Sequence, residues 1–226
     1  KYAIAVNSWT SGLICCVGSL QLEPGDEIIL PSWTMSACAS AILHWNCIPV
    51  FSDIDKNTFC IDPVDIEKKI SQKTKAIMAV DIFGQSSNIS KLKKLAKKYK
   101  LKIISDSAQA IGSKYKGKYS GTLADIGGFS FNCHKHIQTG EGGIVVTNDF
   151  KLYKKCKLIR NHAETTVGNP KKKSDLINMI GENYRMCEIE AAIATEQLKK
   201  LKKIIKDRQS VAKNFINNLK SLPGIN

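Results

Sequence analysis

The sequence contains no run of apolar residues long enough to cross a membrane, no Cys-x-x-Cys pair and no initiator methionine. A spanning helix needs about 18 or more consecutive apolar residues, so none is indicated and we predict no membrane partner. The usual spacings of zinc-binding and redox-active cysteines are missing as well. Aromatic residues are few, at 7%, but hydrophobic residues reach 43%, which excludes a disordered chain. The 226 residues therefore predict a globular protein with a sizeable core.

Acidic residues are scarce beside basic ones. The chain has 20 Asp and Glu against 34 Lys and Arg, which gives a net charge of +14. A basic protein can bind nucleic acid, but here lysine outnumbers arginine, and neither interleaved aromatic residues nor zinc-finger spacings accompany it. We interpret lysines such as Lys199 and Lys200 as charges on solvated helix faces, and we predict no nucleic-acid partner.

The cysteines are numerous but scattered, and most have apolar neighbours in the sequence. We predict that they are reduced, buried, small hydrophobic residues of a cytoplasmic protein, and that they form no metal site. They are Cys15, Cys16, Cys38, Cys47, Cys60, Cys133, Cys156 and Cys187.

Short β-branched runs alternate with amphipathic segments along the chain. This alternation predicts a mostly parallel central sheet covered by helices on both faces, a three-layer α/β/α arrangement. The predicted strands are 27–30, 48–51, 76–80, 102–105, 127–131 and 143–147. The predicted helices are 11–20, 35–44, 63–70, 89–99, 150–159 and 187–219. A polar segment, 164–181, predicts a long mobile loop. Ligands of such sheets bind at the carboxyl ends of the strands, so the loops there are expected to hold the functional residues.

The most informative segment is FSFNCHKHIQTGEGG, residues 129–143. It places Lys135 between His134 and His136, after an apolar strand and before a glycine-rich turn. A lysine amine withdrawn from solvent in such a place can attack a carbonyl carbon. An isolated lysine is usually a solvated surface charge, but these surroundings favour a chemical role for Lys135.

A second segment, IISDSAQA at residues 103–110, places Asp106 at the end of an apolar strand. We expect its carboxylate to point into the crevice at the strand ends, where a buried charge needs a partner. A protonated pyridine nitrogen, a metal ion and a ribose hydroxyl are all candidates, and the alternative is an aspartate that only caps the following turn. Gln109, three residues later, could reach the same ligand.

A third segment, VNSWTSGL at residues 6–13, predicts a polar turn that opens an apolar helix, with Thr10 or Ser11 as the N-cap. Backbone N–H groups at a helix start can bind phosphate. Simple capping would also explain this segment.

Together the three segments resemble the DegT/DnrJ/EryC1/StrS family of sugar aminotransferases, which are pyridoxal-phosphate enzymes of fold type I. The resemblance extends over nearly the whole chain. Further matching segments are PSWT (31–34), PVFSDID (49–55), KTKAI (73–77) and NYRM (183–186), followed by Glu188, Ala191, Ala192, Gln197 and Leu198. It implies a large domain at residues 1–220 and the start of a truncated small C-terminal domain at residues 221–226. We expect an N-terminal segment and most of that small domain to be missing.

The resemblance also implies roles for individual residues. Lys135 matches the lysine that binds the cofactor covalently and moves a proton between cofactor and substrate. Asp106 matches the carboxylate that pairs with the pyridinium nitrogen and keeps the ring protonated. Gln109 matches the residue beside the ring hydroxyl.

The remaining implied contacts concern the cofactor phosphate and the face of its ring. Ser130 matches a phosphate-binding serine, with Thr10 and the Ser11 backbone as further phosphate ligands. Met35 occupies the position of a residue that stacks on the ring. Asn183 matches a residue that reaches the phosphate from the partner subunit of a homodimer.

The sequence departs from the family pattern at three positions. Trp9 replaces a usual glycine before the phosphate-binding threonine, which predicts a different local turn. Met35 replaces a common aromatic residue, although a thioether also packs on a ring face. Asp81 replaces a frequent histidine, and we expect this change to affect substrate contacts. One family branch performs dehydration with histidine in place of the catalytic lysine; the spacing around Lys135 argues for transamination instead.

The resemblance implies a cytoplasmic, homodimeric aminotransferase with shared active sites and no metal. It would transfer an amino group from an amino-acid donor, glutamate, to a keto group of a nucleotide-linked deoxysugar. One alternative is another fold-type-I enzyme acting on a non-sugar substrate. A second is a non-catalytic regulatory or nucleic-acid-binding protein with the same fold.

Overall fold

The computed structural model describes residues 1–164 and 179–224. The loop predicted at residues 164–181 lies largely outside the described residues. The strands are β1 Tyr2–Val6, β2 Glu27–Pro31, β3 Ile48–Ser52, β4 Thr74–Val80, β5 Lys102–Asp106, β6 Lys114–Tyr115, β7 Lys118–Tyr119, β8 Ile126–Ser130 and β9 Gly143–Thr147. The α-helices are α1 Trp9–Ser19, α2 Ala37–Leu43, α3 Pro63–Lys69, α4 Ile89–Tyr99, α5 Phe150–Arg160 and α6 Glu188–Leu219, and a 3-10 turn covers Ile82–Gly84.

Seven strands form one sheet in the order β1-β9-β8-β5-β4-β2-β3. Strand β9 runs antiparallel to both of its neighbours, and the other pairs are parallel. Six of the seven strands therefore end at one edge of the sheet. The mostly parallel sheet predicted from the sequence is confirmed, and so are the six predicted strands to within two residues.

The sequence interpretation did not assign β1 to a strand. It also missed the short hairpin formed by β6 and β7. Within the described residues, strand β1 lies at the edge of the sheet and pairs only with β9, from Tyr2↔Thr147 to Val6↔Gly143. Its partner lies about 140 positions away in the sequence, so local pattern alone could not reveal the pairing.

Alternate side chains of the central strands enter two separate cores. Ile28 and Leu30 of β2 face the core shared with α1, α2 and α5, whereas Ile29 between them faces the core shared with α3 and α4. In β4, Met78 likewise faces the core shared with α1, α2 and α5, and Ile77 faces the core shared with α3 and α4. This period of two on a doubly covered sheet explains why the strands are apolar on both faces.

Helix α4 shows how the sequence fixes a helix on this scaffold. The side chain of Asn88 caps its start by accepting from the N–H of Lys91. Ile89, Leu92 and Ala96 recur at helical spacing and are buried, so one stripe of the helix packs on the sheet.

Helix α6 differs, because none of its side chains is buried. Large apolar side chains such as Ile189, Val211 and Phe215 are about two-thirds exposed or more. The helix still touches the sheet domain: a methyl group added at Gly112 would lie 2.3 Å from Ile205 Cδ1. Helix α6 ends at Leu219, just before the predicted boundary between the large and small domains near residue 220. That boundary stays a prediction. No helix in the described ranges is both long and apolar enough to span a membrane.

The eight cysteines all lie within the described residues, and each is a free thiol. Six are buried, as predicted, whereas Cys133 and Cys187 are exposed. The prediction of buried thiols is wrong for these two, because Cys133 lies on a loop beyond the sheet edge and Cys187 precedes the exposed helix α6.

Candidate active site

The three segments singled out in the sequence meet at the carboxyl edge of the sheet. Strands β1, β5 and β8 all end there. Val6, Gly143 and Ser130 are paired in one row across β1, β9 and β8. With neighbouring strands about 4.8 Å apart, Ser130 lies roughly 10 Å from the end of β1. The start of α1 and Ser130 therefore face one common space.

Helix α1 begins at this edge with a serine cap. Ser8 has an extended backbone, and its Oγ accepts from the N–H of Ser11 at 3.1 Å. The prediction of Thr10 or Ser11 as the N-cap is therefore wrong, because Ser8 already occupies that position. Thr10 lies exposed in the first turn, whereas Ser11 is buried and its hydroxyl contacts that of Ser8 at 2.9 Å. The first turn leaves backbone N–H groups without helical partners, as an anion site requires.

Asp106 at the end of β5 is 5% exposed. Its Oδ1 accepts from the indole N–H of Trp9 at 2.7 Å and from the N–H of Ala108 at 3.0 Å. Its Oδ2 accepts from the thiol of Cys38 at 3.1 Å. The contact with Ala108 is the turn cap considered as an alternative, but the carboxylate also receives donors from α1 and α2. None of the ion pairs within the described ranges includes Asp106.

Asp81, at the end of the neighbouring β4, is also buried, at 3% exposure. It accepts from the N–H of Ser87 at 2.8 Å and from the hydroxyls of Ser107, at 2.5 Å, and Ser105, at 3.3 Å. Burial raises the pKa of this carboxyl, against the opposing effect of those hydrogen bonds. Its side chain faces serines inside the fold, and the expectation that it affects substrate contacts stays a prediction.

Gln109 links the loops that follow β4 and β5. Its Oε1 accepts from the N–H of Phe83 at 2.8 Å. Since the oxygen must face that N–H, the amide NH₂ points away from it and can donate elsewhere. Phe83 is 68% exposed and has a positive φ of 54°, an unusual conformation for an aromatic residue that this bond helps to hold.

The loop between β8 and β9 holds Lys135 at the same edge. Ser130, at the end of β8, is buried, and its Oγ accepts from the N–H of Asn132 at 3.2 Å. The N–H of Lys135 donates to the carbonyl of Asn132 at 2.9 Å. Asn132 Nδ2 in turn donates to Glu141 Oε1 at 2.7 Å across the loop. The backbone around Lys135 is thus fixed, and no ion pair within residues 1–164 and 179–224 includes its ammonium group.

Helix α6 brings positive charge to this loop. The pKa of His136 is lowered by its partial burial and, to a smaller extent, by the charges of Arg208 and Lys135. His136 is therefore more readily neutral than an ordinary histidine. The exposed His134 lies on the other side of Lys135 in the chain.

Two further residues named from the sequence lie exposed. Met35, just before α2, is 72% exposed. Asn183 is exposed as well, and its backbone carbonyl is 3.5 Å from Asn7 Nδ2 at the end of β1. The N–H of Asn7 also donates to the carbonyl of Tyr184 at 2.9 Å. The segment containing Asn183 therefore lies beside the start of α1 in its own chain.

The sequence interpretation missed both side-chain donors to Asp106. Trp9 was identified only as a departure from a pattern, and Cys38 only as one buried thiol among several. A buried indole N–H needs an acceptor, which was a usable signal for Trp9. No comparable signal distinguished Cys38.

A family model described as the DegT/DnrJ/EryC1/StrS aminotransferase family matches residues 1–226. The chain belongs to this family. The GDP-perosamine synthase of Escherichia coli O157:H7 is 40% identical over 222 residues, which are 98% of this chain and 60% of that protein. The chain thus spans about 60% of the length of such a relative.

Solved structures of the same kind superpose closely on this fold. Helicobacter pylori PseC, an aminotransferase involved in the biosynthesis of pseudoaminic acid, matches with a TM-score of 0.89 and 36% identity over 99% of this chain and 60% of its own. The Escherichia coli GDP-4-keto-6-deoxy-D-mannose-3-dehydratase with bound hydrated PLP matches with a TM-score of 0.88 and 31% identity, over 99% and 62%. Fold type I, expected from the sequence, is confirmed.

Proposed function

We propose that this protein is a pyridoxal-phosphate-dependent aminotransferase. It transfers an amino group from glutamate to a keto group of a nucleotide-linked deoxysugar. The observation that supports this most directly is the convergence of Lys135, Asp106 and the start of α1 at one sheet edge, in a chain of a sugar aminotransferase family.

The residues at this edge fit the cofactor. Among the described residues, the donors to the buried carboxylate of Asp106 are all neutral, so the positive N–H of a pyridine ring would complete its partners. The start of α1 and the hydroxyl of Ser130 offer donors for a phosphate. The NH₂ of Gln109 makes no hydrogen bond to another described residue and can face a ring hydroxyl.

Each of these residues would have a defined task. When bound, pyridoxal phosphate supplies a ring that accepts the electrons left behind when the substrate carbon loses a proton. Lys135 Nζ would hold the cofactor covalently and then move that proton. Asp106 would keep the ring nitrogen charged. Met35 would pack on the ring face, and Thr10, Ser11 and Ser130 would hold the phosphate.

Dehydration is the reaction that competes most closely, because one structural relative is a dehydratase. Lys135, rather than His134 or His136, follows β8 at the spacing that the resemblance assigns to the catalytic residue. This lysine favours transamination.

The test is incubation of the whole protein with ¹⁵N-glutamate, pyridoxal phosphate and a panel of keto-sugar nucleotides. We expect the label in one sugar product, together with an equal amount of 2-oxoglutarate. A product that loses oxygen without gaining the label would indicate dehydration. Visible cofactor absorbance without any labelled sugar would favour a non-sugar substrate, and absence of that absorbance would favour a non-catalytic protein.

We further propose a cytoplasmic homodimer in which Asn183 reaches the phosphate site of the partner subunit. Its exposure and its place beside the start of α1 are consistent with a position close to the two-fold axis. Because the same segment also contacts Asn7 of its own chain, the competing arrangement keeps Asn183 in its own site.

Mixing two inactive variants distinguishes these arrangements. Lys135→Ala and a strongly impaired Asn183→Ala are prepared separately, mixed and allowed to exchange subunits. If the sites are shared, each mixed dimer has one site with both defects and one intact site. Random mixing makes half of the dimers mixed, so activity should recover to roughly a quarter of the wild-type value. No recovery, with exchange confirmed by mass, would place Asn183 in its own subunit's site.

A further inference from the structure

The two oxygens of Asp106 are not equivalent. Oδ1 already accepts two hydrogen bonds, from Trp9 and Ala108, whereas Oδ2 accepts one, from Cys38. A carboxylate oxygen accepts about two hydrogen bonds in its plane. Oδ1 is therefore saturated, and Oδ2 keeps one open acceptor position.

The donor on Oδ2 is also the weakest of the three. Burial and, secondarily, the charge of Asp106 raise the pKa of the Cys38 thiol well above its usual range. The sulfur thus keeps its proton and donates it to Oδ2, while it can accept from the hydroxyl of Thr34, 3.3 Å away. A thiol is a weak donor, so Oδ2 retains most of its capacity for a stronger partner.

Trp9 is held where its indole N–H must meet Asp106. The side chain is 6% exposed and lies among glycines of α1, β8 and β9. A methyl group added at Gly12 would lie 2.7 Å from the Trp9 ring, and a methyl group added at Gly128 would lie 2.3 Å from it. A methyl group added at Gly143 would lie 2.9 Å from the Trp9 backbone. No side chain would fit between Trp9 and these backbones, so the ring cannot turn away easily.

We propose that Trp9 is a positioning residue for the cofactor: its indole N–H saturates Oδ1 of Asp106 and thereby directs Oδ2 to the ring nitrogen. This assignment rests on the function proposed above for Asp106. Trp9 stands where the family usually has glycine. Under this proposal it contributes to cofactor binding as well as to packing.

The test compares pyridoxal phosphate with its 1-deaza analogue, in which a C–H replaces the ring nitrogen and cannot pair with Asp106. Dissociation constants of both are measured on the cofactor-free whole protein by absorbance. Trp9→Phe should raise the constant for pyridoxal phosphate about tenfold, equivalent to about 1.4 kcal/mol, and leave that for the analogue within about twofold. Trp9→His, which keeps a ring N–H, should restore part of the difference.

Trp45→Phe is the matched control. Trp45 also donates its indole N–H, at 2.9 Å, to the carbonyl of Ile14, but this bond does not involve Asp106. The Trp45→Phe variant should therefore change the dissociation constant of neither ligand. If Trp9→Phe does not fold, an analogue with sulfur in place of the indole N–H, β-(3-benzothienyl)alanine, is incorporated at position 9 to keep the shape.

Equal weakening of both ligands by the position 9 variants would overturn the proposal, since Trp9 would then act through packing alone. No change for either ligand would overturn it as well. The Asp106→Asn variant tests the role of Asp106 separately from the role of Trp9. If Asp106→Asn weakens pyridoxal phosphate selectively but Trp9→Phe does not, only the role of Trp9 is wrong. If Asp106→Asn shows no selectivity, the assignment of Asp106 fails and that of Trp9 fails with it.

Discussion

Replacement of Lys135 by alanine is expected to abolish multiple turnover. The change removes both the amine that holds the cofactor and the group that moves the substrate proton. Proton transfer alone contributes about 10²–10⁴-fold, so a loss of at least about 10⁴-fold is expected for both functions together. The measurement is steady-state formation of labelled amino sugar by the whole protein. Cofactor should still bind through its phosphate, without a covalent link.

Lys93→Ala provides the control for this experiment, because Lys93 lies exposed on α4. It should leave both rate and cofactor binding unchanged. Borohydride reduction followed by peptide mapping should attach the cofactor to the peptide with Lys135 in the wild type only. Sustained turnover by Lys135→Ala would show that another residue performs the proton transfer.

Replacement of Asp106 by alanine should reduce the turnover number more than it weakens cofactor binding. One charge-assisted hydrogen bond contributes about 1.5–3 kcal/mol to binding. Loss of the charge that stabilises the protonated ring affects the transition state further, and removal of such an electrostatic group typically costs about 10²–10³-fold in rate. Cofactor affinity and turnover number are measured on the same preparation, with cofactor at saturation.

Asp81→Asn is a demanding control for Asp106→Ala. Both carboxylates are buried, and they end paired neighbouring strands, β4 and β5. Asp81 faces serines, however, so its replacement should change the turnover number much less. Normal turnover by Asp106→Ala would mean that Asp106 is only the cap of the turn at Ala108.

The sequence was sufficient for the sheet apart from edge strand β1, and for most of the helices, because apolar runs are local signals. Strand β4 and helix α4, for example, follow from a run of apolar residues and from a stripe behind Asn88. The site could be predicted from the sequence for a related reason. Lys135 and Asp106 are both placed by apolar strands, and the ends of parallel strands lie at one edge of a sheet.

What the sequence could not provide depends on contacts between distant segments. Trp9 and Asp106 are separated by 97 positions, and Cys38 and Asp106 by 68. The serine partners of Asp81 could not be identified from the sequence, because they meet it only once β4 and β5 lie side by side. The amphipathic pattern at residues 187–219 predicted a helix, but it contains no information on what covers the apolar side chains of α6.

The pairing of β1 with β9 has a consequence for the order in which the chain is assembled. Strand β1 is synthesised before its neighbour in the described part of the sheet, residues 143–147, which leaves the ribosome about 140 residues later. At about 5–20 residues per second, that delay amounts to several seconds or more. During this interval β1, which leads into α1, has no strand in the described sheet to pair with. The phosphate end of the site is therefore completed late in synthesis, after the parallel strands β2 to β5 have emerged.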